Sequence, residues 1–180
     1  MKRLLVLSLA LAALAAAAGA ENPGRRPSDH VRIDQLKRNR DLVEALVKGG
    51  VHLAGESDPL KRADYCNGLA TSLAREIEEA AARKEGARAV EMGQHLQVLL
   101  KQGVAGNVYS VAPEAPPPGS TRWKQLGEVG QHTMDVMGPL QKRLRQAAAA
   151  DPADMRRALE AIDDGRAEVE KALKKAKAER

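Results

Sequence analysis

Asp58-Pro59-Leu60-Lys61-Arg62-Ala63-Asp64-Tyr65-Cys66-Asn67-Gly68-Leu69-Ala70 opens with a helix-start signal and continues with helical spacing. An Asp side chain accepts a hydrogen bond from an orphan amide of the first turn, and Pro is favoured at the first helical position because its missing N–H loses nothing there. Beyond it, Cys66, Leu69, Ala70, Leu73, Ile77 and Ala80 recur at steps of three and four. At about 100° per residue they form one broad stripe. The spacing predicts a helix from Asp58-Pro59 to about Arg83, with Cys66 near the centre of its buried face.

The same grammar extends in both directions. Upstream, Ser28 or Asp29 can cap a first helix whose stripe Ile33, Leu36, Val43, Val47 is continued by Val51, Leu53 and Ala54 as far as Glu56. Gly49-Gly50 is expected to weaken or bend it. Downstream, Glu85-Gly86 makes a turn, and a third helix carries Ala89, Met92, Leu96, Leu99 and Leu100. Gly103 followed by Val104 reads as a left-handed cap that ends this helix. Ser120 or Thr121 starts a fourth helix through Leu126, Gly130, Thr133, Met137, Leu140, Leu144 and Ala147, which Pro139 is expected to kink or split. Asp151-Pro152 repeats the earlier start signal, and a fifth helix carries Met155, Leu159, Ile162, Val169 and Leu173. Lys61-Arg62-Ala63 and Arg156-Arg157-Ala158 give the two Asp-Pro-led helices a superficial likeness that common capping chemistry explains without duplication.

Composition supports an all-α reading. The chain has no Phe, one Trp (Trp123) and two Tyr (Tyr65, Tyr109), so burial must come from Leu, Val, Ile, Met and abundant Ala, and small side chains let helices approach closely. The expected architecture is an antiparallel helical bundle, or set of hairpins, of about five helices. Pro113 and Pro116-Pro117-Pro118-Gly119 predict an extended break, which divides the chain into a helical domain over 29–108, a Pro-rich linker over 109–120 and a helical hairpin over 121–180.

The N-terminus predicts where the protein works. Lys2 and Arg3 precede an apolar run from Leu4 to Ala18 that ends in Ala18-Gly19-Ala20, the form of a cleaved secretory signal peptide over residues 1–20. No Cys follows the cut, so lipid attachment is not expected, and residues 21–28, with Asn22-Pro23-Gly24 and Arg25-Arg26-Pro27, read as a flexible lead-in. No later apolar run is long enough to span a bilayer. An exported, periplasmic or extracellular protein without a transmembrane anchor is expected. The net charge of +5, two units of which leave with the leader, alternates in sign along the chain. That pattern describes solvated helix faces and argues against nucleic acid as a partner.

Few residues carry chemistry. Cys66 is the single cysteine, which excludes an internal disulfide and a thiolate zinc cage, and its place on the stripe predicts burial as a small hydrophobe. Met92 with His95, and His132 with Met134 and Met137, are the soft ligands a copper-type metal sensor or carrier would use. On an unbroken helix, however, His132 points about 140–160° away from Met134 and Met137. No Gly-x-Ser-x-Gly elbow, His-Glu-x-x-His pair or phosphate-cradling loop occurs, and the adjacent acids Glu78-Glu79 and Asp163-Asp164 diverge around their helices. No enzymatic activity and no cofactor are expected. Arg40 and Arg166 each interrupt an apolar stripe, where a charge sets register or partner choice or else snorkels to water. The run Lys171, Lys174, Lys175, Lys177 and Arg180 suits the C-terminal end of a helix dipole, with an anionic envelope surface as the alternative.

The Asp58–Ala70 segment, with Gly93-Gln94-His95-Leu96 and Gly103-Val104-Ala105-Gly106-Asn107, resembles a family of uncharacterised bacterial exported α-helical proteins. The resemblance covers the middle third of the chain and implies a small helical module with no established activity. More loosely, the chain is similar to periplasmic helical-hairpin proteins that sense metal or chaperone other proteins, although their Leu-Thr-x-x-Gln motifs are missing here. The sequence thus predicts a non-enzymatic exported protein that binds another envelope protein or envelope component through helix faces, with homo-oligomers left open. A periplasmic metal sensor or carrier using His and Met is the alternative.

Overall fold

A computed structural model describes residues 29–114, 116–148 and 152–178. The expected leader and lead-in over residues 1–28 and the cap assigned to Asp151 lie outside these residues. The described residues form five helices and no strand. These are α1 (Asp29–Gly55), α2 (Pro59–Ala82), α3 (residues 86–109), α4 (Thr121–Ala147) and α5 (Pro152–Ala178). The chain divides into two compact units, Met1–Asn39 and Arg40–Arg180. Of the first, only the opening turns of α1 are described, and the account below concerns the second.

Local chemistry accounts for the ends of the helices. Asp58 stands in extended conformation and its Oδ1 accepts from the Leu60 amide at 2.8 Å, with Pro59 as the first helical residue of α2. Lys84 takes the left-handed conformation (φ 61°) in the turn to α3. Ser120 Oγ accepts from the Trp123 amide at 3.2 Å and starts α4. Pro152 opens α5. Pro139 lies within α4 without ending it.

Gly103 does not end its helix. α3 begins as α-helix Gly86–Val98, widens to a π-helix over Leu99–Ala105 and closes as α-helix Gly106–Tyr109. The reason is tertiary. A Cβ on Gly103 would lie 2.7 Å from Cys66 Sγ and 3.2 Å from Cys66 Cβ, so its missing side chain lets α3 approach α2. The carbonyl left over at Gly103 is taken up by Asn107 Nδ2 at 2.5 Å.

The expected inward stripe of α1 also shifts. Leu42 is buried, and Leu46 and Leu53 pack on the core, while Val47 and Val51 are exposed. Gly49 accommodates the Leu69 side chain, and the helix continues through Gly49-Gly50 without ending.

Residues 109–120 were expected to be an extended linker between two domains. Instead Val111 and Ala112 are buried in the core, Val111 N donates to Val108 O, and a 3-10 turn forms at Ala112–Glu114. Tyr109 OH donates to Glu168 Oε1 on α5 at 2.7 Å. One hydrophobic cluster runs through α2, α3, α4 and α5, with Ile77, Leu96, Leu100, Leu126, Leu140 and Ile162 fully buried in it. Each such side chain contributes about 1.5–3 kcal/mol relative to exposure. The hairpin formed by α4 and α5 therefore shares the core of the preceding helices.

Candidate binding surfaces

Two surfaces stand out, and both are positioned by the α2 seam. Asn67, Thr133 and Glu76 are buried polar residues, and a polar group buried without partners would be costly. Asn67 Nδ2 donates to Val129 O at 3.0 Å, and the Thr133 hydroxyl lies 2.9 Å from Asn67 Oδ1 and 3.0 Å from Val129 O. Hydrophobic contact alone would let α2 slide along α4 by a turn; this satisfied pair fixes one register. Glu76 is held by Arg88 at 3.1 Å, which fixes α2 against α3 in the same way.

Above the α2–α4 pin lies an open groove of about 400 Å³. Lys61, Asp64 and Tyr65 line it from one exposed face of α2, and Gln125, Glu128 and His132 from α4. Across it His132 Nδ1 meets Asp64 Oδ1 at 2.9 Å. Lys61 Nζ stands 4.0 Å from Glu56 Oε2, so part of its charge is offset. Among the described residues Glu128 takes part in no ion pair and keeps its carboxylate exposed. Tyr65 is 40 % exposed and stacks on His52 of α1, with ring centroids 5.6 Å apart.

The second surface is the outer side of α1. Val47 is 54 % and Val51 68 % exposed, and Arg40, Glu44 and Lys48 flank them in solvent. The other end of α1 is tied down: Arg62 Nη1 donates to the carbonyls of Leu53 (3.2 Å) and Glu56 (3.3 Å), while its Nε donates to Asn107 Oδ1. A cation on the last carbonyls of a helix is favourable.

Of the residues singled out from sequence, Cys66 is buried, and burial pushes its thiol up to about 11, against the opposing pull of Arg62. At neutral pH it is an unreactive thiol. Asp58 is partly desolvated, which raises its pKa, but the Leu60 and Lys61 amides and the Arg122 guanidinium outweigh this and hold it below its ordinary value. The metal candidates do not assemble. Met92 and Met137 are buried, His95 stands 4.0 Å from Glu91, His132 faces Asp64, and Met134 is half-buried. Among the described residues no three His, Cys, Asp or Glu side chains are grouped to hold a metal ion. Arg166 turns inward along its own chain, to Gln141 Oε1 at 2.8 Å and Glu170 Oε1 at 2.9 Å, whereas Arg40 is exposed. Two of the C-terminal lysines lie over aromatic rings, Lys175 Nζ 5.9 Å from the Tyr109 centroid and Lys177 Nζ 5.5 Å from that of Trp123.

Tyr65, Asp64 and Glu128 escaped sequence reasoning because residues 64 and 132 become neighbours only through packing. The one available signal was Tyr65 itself, an aromatic among few, one position off the buried stripe. No helix among the described residues is long and apolar enough to cross a membrane. No family model, no curated protein and no solved structure matches the chain.

Proposed function

We propose that the protein is a non-enzymatic, exported binding protein that holds another envelope protein on the α2–α4 face, taking a basic side chain of that partner into the groove. The observation that carries this reading is the exposed Tyr65 ring, stacked on His52 and sharing the groove with Glu128. Exposed aromatics anchor interfaces because they bury large area at low entropic cost, and a guanidinium or ammonium gains from both a ring face and a carboxylate. The buried Asn67–Thr133 pair supports it by holding the two walls in fixed register, so little ordering is left to be done on binding. The leader-like N-terminus supports an envelope setting.

The test places a photo-cross-linking residue at Tyr65 in intact cells, with the exposed Glu160 as control, and identifies adducts by mass spectrometry. An adduct specific to position 65 is expected. The captured protein, once purified, should bind wild type and lose about tenfold or more in affinity on Tyr65→Ala or Glu128→Lys. Identical adducts from both positions, or affinity indifferent to both substitutions, would sink the reading.

A further inference from the structure

The outer face of α1 is independent of the groove and has a chemistry of its own. At about 100° per residue, Arg40, Val43, Val47 and Val51 fall within about 80° of one another, and about 120° around the helix from Leu42, Leu46 and Leu53. The second set packs on the core; the first leaves Val47 and Val51 more than half exposed. A helix apolar on two sides has one side too many for a chain that buries it only once.

The charges beside the valines indicate what covers them. Glu44 and Lys48 lie along one edge of the stripe, both exposed, and neither takes part in an ion pair among the described residues. When two copies of one helix pack antiparallel about a two-fold axis, each edge meets the same edge of the other copy. An axis beside Val47 sets Val43 against Val51 of the second copy. It brings Glu44 within reach of the other copy's Lys48, and the symmetry forms that pair twice. The same register carries Arg40 to the last turn of the other α1, the negative end of its dipole. Residues 39–55 of each helix then overlap over about 24 Å. Registers centred closer to Val43 would instead set Lys37 against Lys48, two like charges.

We infer that α1 is a self-association surface: two copies of this chain pair antiparallel through Val43, Val47 and Val51, with reciprocal Glu44–Lys48 ion pairs and Arg40 over the partner helix end. This goes beyond the groove reading and does not depend on it, since the two surfaces use different residues.

The test is analytical ultracentrifugation of the purified protein over a wide concentration range, with circular dichroism to confirm folding. Wild type is expected to show a reversible dimer. Val47→Glu should abolish it, and Val51→Lys, on a still more exposed residue, provides the same loss if Val47→Glu misfolds. Glu44→Lys and Lys48→Glu should each weaken the dimer several-fold, and the double variant E44K/K48E should restore it, because exchanging both charges rebuilds both pairs. A wild type that stays monomeric throughout overturns the proposal. So does a dimer that none of these substitutions weakens. The Tyr65 cross-link, which uses no α1 valine, reports on the groove separately, so either proposal can fail alone.

Discussion

At the scale of single residues, Gly103 and Cys66 face each other where α3 approaches α2, and each explains the other. Ala is the better helix former by about 1 kcal/mol. Yet a methyl at 103 would stand 2.7 Å from Cys66 Sγ and 3.2 Å from Leu99 Cδ1. The Leu99 methyl can turn aside, but the sulfur sits one bond from Cys66 Cβ, itself 3.2 Å away, so little rotation relieves the clash. Gly103→Ala is therefore expected to destabilise the protein by about 1–3 kcal/mol in urea unfolding, the range for overpacking. In a Cys66→Ala background the same substitution should cost far less, because the sulfur it strikes is gone; equal costs in both backgrounds would disprove the contact. The thiol itself, buried and raised to about 11, should react with a disulfide reagent orders of magnitude more slowly in the native protein than in urea.

At the scale of elements, the start of α2 rests on one carboxylate. Asp58→Ala removes the acceptor for the Leu60 and Lys61 amides and is expected to cost about 1 kcal/mol, while Asp58→Asn should recover most of it. Asp58 and Asp164 both have folded pKa values below the ordinary 3.8, Asp164 because Lys101 and Gln97 hydrogen-bond its carboxylate. A lowered folded value means that the stabilisation is complete above the ordinary pKa and is lost as pH falls through the folded one. Stability measured by urea unfolding should therefore fall on acidification below about pH 4, and Asp164→Asn should flatten that limb without changing the neutral plateau by more than the small worth of an exposed pair. An acid limb unaltered in both Asp58→Asn and Asp164→Asn would rule out these carboxylates as its source.

At the scale of the whole molecule, the helices of the described residues carry almost no aromatic mass and pack through small residues and a few buried polar contacts. Gly130 accepts Leu173 of α5, and Gly165 accepts Leu100 of α3, so backbones approach where Leu side chains would otherwise hold them apart. The Asn67–Thr133 pair then sets which turn meets which. Thr133→Val keeps the shape but leaves Asn67 Oδ1 without its partner, at an expected cost of about 1–3 kcal/mol. Adding Asn67→Leu should recover part of that loss. Glu76, 5 % exposed, meets the part-buried Arg88 guanidinium at 3.1 Å, and Glu76→Ala, which removes that charge-assisted bond, is expected to cost about 1–3 kcal/mol.

Helix starts and helical faces were legible because they are local. Asp58-Pro59 and Ser120 satisfy orphan amides within three residues, and the Cys66–Ala80 and Leu126–Leu144 stripes follow from the helical repeat alone. Reading failed where two local answers were equally good. α1 carries apolar residues on two sides, and periodicity chose Val47 and Val51 where packing chose Leu42 and Leu46, with Leu53 common to both. Gly103 suited a cap as well as a close approach, and only Cys66, thirty-seven positions away, decided between them. Pro113 and the Pro-Pro-Pro run marked a break in helix, but whether that break hangs free or folds onto the core depended on Val111 and Ala112 finding burial among distant helices. The sequence by itself determined the all-α class, the starts of α2 and α4 and the burial of Cys66, since each is set by neighbours within a turn or two. Only the tertiary structure decided the groove, the register that the Asn67–Thr133 pair fixes and the face of α1 left in water, because each depends on residues brought together from distant parts of the chain.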